Sequence, residues 1–194
     1  LSKKVLKNCP GAKIIADIKA SGILTKEIEK LGGELFTWKT GHSLIKTKMK
    51  EIKSPLAGEM SGHIFFSDRY YGYDDGIYAA LRIIENVKNN NYLDDFLDSL
   101  PKVFNTPEIR IECSEEDKFE IVNNLIYILE SKNIKVSKID GLRVKYDNGW
   151  WLLRASNTQN ALVLRLEAET LEYLEFVKSE VRKYILPFGL SVNL

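Results

Sequence analysis

The sequence predicts two consecutive domains, a mixed, mostly parallel α/β sheet domain and then a small α+β domain with an antiparallel sheet. In the first half, apolar runs of strand length alternate with helical patterns, as in parallel sheets with crossover helices. In the second half, strand-like runs follow one another between two amphipathic helical patterns, which favours an antiparallel sheet with helices on one face. A proline-containing segment without periodicity separates the two patterns. We therefore predict domains at residues 1–99 and 108–194, joined by a linker at 100–107.

The first half opens in the order helix, strand, helix, strand. Residues 2–8 are predicted to be helical, and residues 12–18 form an apolar run of strand length. Residues 21–31 carry apolar side chains at helical spacing and end on Gly32, which supplies the positive φ of a helix stop. Residues 34–38 then form a second strand. This order implies a right-handed crossover with ligands at the carboxyl ends of the strands.

Shorter elements complete the first half. Ser43 is predicted to cap a third helix, and Asp74 or Asp75 a fourth. The fourth helix has an apolar repeat at i, i+3, i+4 and i+7, typical of an amphipathic helix that packs on a core. The other predicted elements are short apolar runs at 56–57 and 64–66 and a helical piece at 92–100.

The second half has a different order of predicted elements, in which most strands follow one another between two helices. Ser114 and Asp117 resemble a capping box that opens a helix, and Asn148-Gly149 is a hairpin signal because both residues tolerate positive φ. A closing helix buries Leu174, Val177 and Val181. The predicted strands are 108–113, 135–139, 142–146, 150–154 and 162–167.

Composition restricts the class of protein. The hydrophobic fraction of 44% and the charged fraction of 28% are those of an ordinary globular protein, which excludes disordered and collagen-like chains. The net charge of +1 argues against nucleic-acid binding, whose proteins usually carry a basic face. No apolar run approaches the ~20 residues of a membrane span, and the pattern around Cys9 and Cys113 indicates free thiols. We expect a cytoplasmic protein without nucleic-acid or membrane partners, and the start at Leu1 rather than Met suggests a piece of a longer chain.

The segment 58–63, GEMSGH, is the first candidate site. Two glycines bracket Glu59 and Ser61 in a short loop, so that the backbone can approach a ligand closely. A carboxylate accepts hydrogen bonds and a hydroxyl both donates and accepts them, so this pair suits two neighbouring sugar hydroxyls. The pattern is also typical of a tight turn with a solvated glutamate, and the residues alone leave both interpretations open.

The segment 154–158, RASNT, is the second candidate site. The planar guanidinium of Arg154 can clamp two phosphate oxygens, while Arg165 lies on the next predicted strand. The polar groups of Ser156, Asn157 and Thr158 add directional donors. Ser-Asn-Thr is also a common composition of plain turns, so this loop keeps a non-functional alternative.

Three further side chains accompany the first segment. His42 and His63 are the only histidines and lie in glycine-flanked turns, and an imidazole can exchange protons near neutral pH. A lone histidine is, however, more often a structural residue with satisfied hydrogen bonds. Lys19 follows the first predicted strand, and it is either a site residue or simply a solvated residue at the end of the strand. No third carboxylate accompanies Asp74 and Asp75, so no metal site is predicted in this chain.

Four segments together resemble the third domain of the α-D-phosphohexomutase family, namely DIK at 17–19, WKTGHS at 38–43, GEMSGH at 58–63 and YGYDDG at 71–76. RASNT at 154–158 resembles the phosphate-binding loop of that family's fourth domain. The family commonly continues this loop with Thr-Pro where this chain has Gln159-Asn160, which puts the rigidity of the loop in doubt.

The resemblance implies roles for individual residues. It places Lys19, His42 and His63 at the catalytic centre and gives the second domain a fold similar to the TATA-binding protein. It also implies that the sugar hydroxyls are bound by Glu59 and Ser61. The phosphate would be bound by Arg154, Ser156, Asn157, Thr158 and Arg165.

The resemblance further implies a mutase that moves a phosphoryl group between the C1 and C6 oxygens of mannose or glucose through a phosphoserine and a bisphosphate intermediate. The family's serine loop and its magnesium loop, three aspartates at alternate positions, belong to domains one and two, and neither pattern occurs here. We therefore expect Mg²⁺ to bind outside this chain. The expected partners are a hexose phosphate and the N-terminal half of the enzyme, in the same or a separate chain. Alone, the chain is expected to be inactive or nearly so; the alternative is a non-catalytic sugar-phosphate-binding or regulatory remnant.

Overall fold

The computed structural model describes residues 1–87, 92–190, 192 and 194. The chain folds into two compact units, Leu1–Pro101 and Lys102–Leu194. The first unit contains a mixed four-stranded sheet and the second an antiparallel sheet, which confirms the predicted fold class.

The first unit contains five helices and four strands among its described residues. Its helices are α1 (Ser2–Asn8), α2 (Gly22–Lys30), α3 (His42–Ile52), α4 (Gly76–Val87) and α5 (Tyr92–Ser99). Its strands are β1 (Lys13–Asp17), β2 (Glu34–Trp38), β3 (Leu56–Gly58) and β4 (Ile64–Phe66). The sheet order is β2-β1-β3-β4, with β1 parallel to both neighbours and β4 antiparallel to β3. The carboxyl ends of β1, β2 and β3 therefore meet at one edge.

Both faces of this sheet are covered, because successive strand residues point to opposite sides. Ile14, Leu56 and Phe66 pack in a core with residues of α1, α2 and α4. Their neighbours in sequence, including Ile15 and Phe65, pack in a second core with residues of α3. The strands consequently consist of continuous apolar runs rather than an alternating pattern.

Helix capping differs from the prediction at α3. Ser43 lies inside the helix, and Gly41 occupies the N-cap position at φ 133° without a side-chain cap. At α4, Asp75 is the capping residue, since its Oδ1 accepts a hydrogen bond from the Tyr78 N–H at 2.9 Å. Asp74 does not cap the helix, because its carboxylate contacts His63. Ser43 was a wrong choice because the helix already begins at His42, which makes Ser43 its second residue.

Helix α4 presents its apolar stripe to the surface. Ile77, Leu81 and Ile84 are 80%, 58% and 59% exposed. The buried positions are Ala79 and Arg82, and Arg82 forms a bidentate pair with Asp68 at 2.8 Å. The interpretation of the repeat as a core-facing stripe was therefore wrong in this unit.

The second unit consists of two long helices and an antiparallel sheet. The helices are α6 (Asp117–Ser131) and α7 (Leu171–Ile185), followed by a 3₁₀ turn at Leu186–Phe188. The strands are β5 (Phe104–Asn105), β6 (Ile109–Glu112), β7 (Val136–Ser137), β8 (Leu142–Tyr146), β9 (Gly149–Ala155) and β10 (Ala161–Ala168). Their order is β5-β10-β9-β8-β7, and β6 also pairs with β10. Both helices pack on one face around Trp151, Leu153 and Leu164, which confirms helices on a single face.

Two details of this sheet differ from the prediction. Strand β5 lies inside the segment 100–107 that was predicted to be a linker, and it pairs with the end of β10. The β8–β9 hairpin exists, but its turn residues are Asp147 and Asn148, because Tyr146 pairs directly with Gly149. Gly149 begins the strand, and a Cβ there would come within 2.8 Å of the Glu167 carbonyl oxygen. Close approach of the backbone, rather than positive φ, requires this glycine.

Gly141 is constrained in two ways just before β8. Its φ of 79° is in the left-handed region. A Cβ at this position would collide with the Leu153 carbonyl oxygen and lie 2.7 Å from the Cα of Arg154. Only glycine lets β8 lie this close to β9.

Candidate functional site

The predicted residues Lys19, His42, Glu59, Ser61 and His63 all follow the strand ends that meet at one edge of the first sheet. Lys19 comes just after β1, His42 after β2, and Glu59 directly after β3. In parallel sheets this edge is where ligands bind.

A buried aspartate joins these loops. Asp17, at the end of β1, is fully buried, and its oxygens accept hydrogen bonds from the Met60 N–H at 3.3 Å and the Thr40 hydroxyl at 3.4 Å. The ammonium of Lys19, itself 7% exposed, lies 3.6 Å from the same carboxylate. Burial raises the pKa of Asp17, and the charge of Lys19 opposes this shift. Asp17 thus ties the loops after β2 and β3 to the end of β1.

The Glu59 side chain is largely buried, the residue being only 8% exposed, and it is already hydrogen-bonded. Its Oε1 accepts the Gly41 N–H at 2.9 Å, and its Oε2 accepts the Ser61 hydroxyl at 3.2 Å. An ionised carboxylate has about four lone-pair positions, so two protein donors leave capacity for a ligand hydroxyl. The structure brings Glu59 and Ser61 together as predicted, and it also gives the carboxylate a fixed orientation that the sequence did not reveal.

The two histidines form a close pair beside Asp74. Their ring centroids are 4.2 Å apart at an interplanar angle of 60°. Asp74 Oδ2 lies 2.7 Å from His63 Nδ1 and 3.9 Å from His42 Nδ1, while its Oδ1 accepts the Ile64 N–H. Asp74 is a site residue that sequence reasoning treated only as a possible helix cap. Its place directly before the capping residue Asp75 was the available signal, since a helix needs only one of the two.

The predicted phosphate loop connects β9 and β10. Arg154 is 6% exposed, and its Nε donates to Asp140 at 3.0 Å. Arg165 lies on β10, two residues beyond Val163, the partner of Arg154. Since alternate residues share a face, both arginines lie on the face opposite the helices.

The same face carries two arginines that sequence reasoning missed, Arg110 and Arg143. Arg143 on β8 flanks Leu152 from the side opposite Arg165 on β10. Arg110 on β6 pairs with Val163 in the next cross-strand row. Strand alternation was the signal, because each of these residues is on the opposite parity from the core positions.

One polar side chain of the loop, that of Ser156, hydrogen-bonds to the loop's own backbone. Ser156 is buried, and its hydroxyl oxygen accepts the N–H groups of Thr158 and Gln159 at 3.3 and 3.2 Å. Asn157 and Thr158 are exposed at the tip. The predicted donors therefore divide into a buried residue that shapes the loop and exposed side chains that a ligand can reach.

Lys118 of α6 anchors this loop from a distance in sequence. It is 1% exposed, and its Nζ donates to the carbonyl oxygens of Ser156 and Gln159 at 2.8 and 3.2 Å and contacts Glu115 at 2.5 Å. Gln159 Oε1 also accepts from Arg110 at 2.9 Å. These bonds hold the loop where the family commonly has proline. A lysine four residues before Val122, on the buried side of α6, was the signal that sequence reasoning passed over.

Comparisons with known proteins agree with this architecture. Residues 1–104 match the family model of phosphoglucomutase/phosphomannomutase, alpha/beta/alpha domain III, and residues 108–183 match that of the C-terminal domain. The chain belongs to the phosphoglucomutase/phosphomannomutase family. Within it, the chain corresponds to the third and fourth domains, which confirms the resemblance.

Individual relatives give the same result. The chain is 46% identical over 186 residues to a phosphomannomutase/phosphoglucomutase of Pseudomonas putida, covering 95% of this chain and 40% of that protein. It is 40% identical over 186 residues to a phosphoglucomutase of Neisseria gonorrhoeae, with the same coverage. A solved family structure from Burkholderia thailandensis superposes with a TM-score of 0.89 at 38% identity, covering 100% of this chain and 41% of that one. The chain thus spans about 40% of the length of the curated relatives it matches.

Proposed function

We propose that the chain supplies the hexose- and phosphate-recognition part of a mutase that interconverts hexose 1-phosphate and hexose 6-phosphate, with mannose or glucose as the hexose. The reaction would pass through a phosphoserine and a bisphosphate intermediate, as in the family. The observation that carries the proposal is the convergence of Lys19, His42, Glu59 and His63 on one sheet edge. Family membership supports it.

In this proposal Glu59 and Ser61 bind neighbouring sugar hydroxyls. The carboxylate is oriented by the Gly41 N–H, so it does not lose side-chain freedom when the sugar binds. The Ser61 hydroxyl donates to Glu59 and keeps its own lone pairs, so it can accept from a second hydroxyl. The sugar hydroxyls bound in this way are shared by glucose and mannose, so both hexoses fit the pair.

His42 and His63 would act as proton-exchanging groups at the reacting oxygen. Asp74 contacts His63 Nδ1 and so fixes the orientation of that ring. Lys19 would contribute positive charge near the sugar phosphate, tempered by its pair with Asp17. Both histidine side chains are about half exposed, at 51% and 41%, so a ligand can reach them.

Arg154, Ser156, Asn157, Thr158 and Arg165 would hold the phosphate that is not reacting. Asp140 fixes the guanidinium plane of Arg154, and the remaining N–H groups of such a fork suit phosphate oxygens. Arg110 and Arg143 add positive charge on the same face of the sheet. One loop used for either end of the hexose would explain acceptance of both phosphate positions.

The reaction would also need groups from outside this chain. Mg²⁺ prefers oxygen ligands, whereas in the described residues the group of three candidate ligands contains two imidazoles, which does not fit it. We therefore assign Mg²⁺ and the phosphoserine to an N-terminal half. The exposed apolar stripe of α4 is a surface that such a half could cover.

The cellular setting is part of the proposal. Both cysteines are free thiols, which suits a cytoplasmic protein. In the part of the chain that the structure describes, no helix combines the length and apolarity of a bilayer-crossing segment. Neither nucleic acid nor membrane is proposed as a partner.

A binding titration tests the recognition groups. We expect glucose 1-phosphate and mannose 1-phosphate to bind the chain weakly, and Glu59→Ala and Arg154→Ala each to abolish detectable binding. Glu29→Ala and Arg69→Ala are matched controls at exposed positions and should bind as the unmodified chain does. Equal binding by all four variants would refute the site.

A turnover assay separates the mutase from the regulatory remnant. The chain alone should show little or no turnover, and mixing it with the first two domains of the Pseudomonas putida relative should restore activity. Ordinary turnover by the chain alone would refute the division of labour. Binding of hexose phosphate without any restored turnover would favour the non-catalytic alternative.

A further inference from the structure

A group of metal-binding side chains lies at the first site. His42, Glu59 and His63 each present one ligand atom, and these atoms lie within 4.8 Å of one another. Tetrahedral zinc with bonds of about 2.1 Å separates its ligand atoms by about 3.4 Å. Asp74 holds His63 in place, whereas the 51% exposed side chain of His42 has room to rotate towards the other two ligand atoms.

The carboxylate of this group is held ready for a cation. Glu59 is oriented by the Gly41 N–H and the Ser61 hydroxyl, and both bonds leave lone pairs on its oxygens. A ligand that is already fixed by protein donors loses little freedom when the metal binds, as in metal sites with an outer shell of hydrogen bonds.

The charge at the site also favours a dication. Glu59 and Asp74 supply two negative charges beside two imidazoles, and Asp74 lies against His63 in the arrangement that orients histidine ligands in metal sites. The nearby Lys19 is offset by Asp17 at 3.6 Å. The two nitrogen ligands select zinc, nickel or copper over magnesium.

We propose that His42, Glu59 and His63 form a binding site for a transition-metal dication of the zinc class, with Asp74 as the orienting carboxylate. A bound ion would occupy the groups assigned to the hexose and so exclude it; this consequence alone rests on the proposed function. Metal binding itself does not.

Calorimetric titration with zinc chloride tests the proposal. The chain should carry Cys9→Ser and Cys113→Ser, because both thiols are free and a deprotonated thiol is a zinc ligand that would compete with the site. We expect one ion per chain, no heat with magnesium chloride, and at least 10-fold weaker binding in His42→Ala and in His63→Ala. Asp74→Asn should weaken binding by about 10-fold or more, as outer-shell changes typically do.

A second measurement requires no site variant. The chain has two histidines, so their imidazole signals in a ¹H–¹⁵N spectrum can be assigned directly, and both should shift on addition of one equivalent of zinc. Unmoved imidazole signals at saturating zinc would overturn the proposal. So would unchanged zinc affinity in the two histidine variants, with their thermal melts confirming that they fold.

Discussion

The two candidate sites are built in different ways. The first gathers single side chains from the ends of three strands, and its residues Asp17 and Glu59 hold the loops together at the edge where the hexose is proposed to bind. The second is one loop between two adjacent strands, where Ser156 and Lys118 fix the backbone and the exposed Asn157 remains available. In the first site the residue proposed to bind the sugar, Glu59, also holds the loops, whereas in the second the residues that fix the backbone differ from the exposed side chains proposed to bind phosphate.

Loss of the lysine anchor is the strongest test of this comparison. Lys118→Met removes the buried donor to two carbonyl oxygens, Ser156 and Gln159, so the free energy of unfolding should fall by about 3 kcal/mol in urea titration. Lys183→Met, whose side chain is 58% exposed beside Glu180, is the control and should change stability by less than about 0.5 kcal/mol. Unchanged stability in Lys118→Met would mean that the loop needs no anchor.

Removal of the first-site carboxylate should affect fold and ligand together. Glu59→Ala leaves the Gly41 N–H and the Ser61 hydroxyl without their acceptor, so we expect a loss of about 2 kcal/mol and shifted amide signals at Gly41 and His42. Glu29→Ala is the exposed control. If Glu59→Ala abolished sugar binding but left stability and the Gly41 amide unchanged, the first site would resemble the second and the comparison would fail.

The exposed tip of the second site should separate the two properties. Asn157→Ala should leave the free energy of unfolding within about 0.5 kcal/mol, because the side chain is exposed. Phosphate affinity should fall by about 1 kcal/mol, the usual contribution of one hydrogen bond. Phosphate titration and urea unfolding on the same sample check both values. A large stability loss here would show that tip and anchor are not distinct.

The ion pair between Arg69 and Glu85 lies outside both sites, and its removal gives the smallest expected effect. The hydrogen bond from Arg69 lowers the pKa of Glu85 to about 2. Because folding lowers this pKa, the ionised Glu85 adds to the free energy of unfolding at pH values above 4.5, the ordinary pKa of the group. This contribution is lost as the pH falls from 4.5 towards 2. In Glu85→Gln the melting temperature should therefore depend slightly less on pH in that range. An unchanged profile would mean that this exposed pair contributes nothing measurable.

Periodicity and turn signals predicted the elements well where local pattern decides the structure. Strand β2 has the predicted bounds, and the parallel order predicted ligands at the carboxyl ends of the strands, the edge at which Lys19 follows β1. The arrangement of strands follows from apolar runs, helix stops and the handedness of crossovers.

Other features depend on contacts that a local pattern does not contain. The N-cap of α3 is Gly41 rather than Ser43, and the Gly41 N–H is bonded to Glu59, eighteen residues further on, a contact that the local pattern does not contain. Lys118 was passed over because its partners are carbonyl oxygens about forty residues away. The outward stripe of α4 has the same period as a buried one, so the sequence predicts a helix there but not the side that packs.

Gly141 makes the second site vulnerable at a position that contacts no ligand. Even one methyl group there would push β8 away from β9, and the adjacent Asp140 would move off the guanidinium of Arg154. Among natural variants, an alanine at this position would therefore present as a defect in anion recognition, although the mutated residue carries neither charge nor hydrogen-bonding side chain.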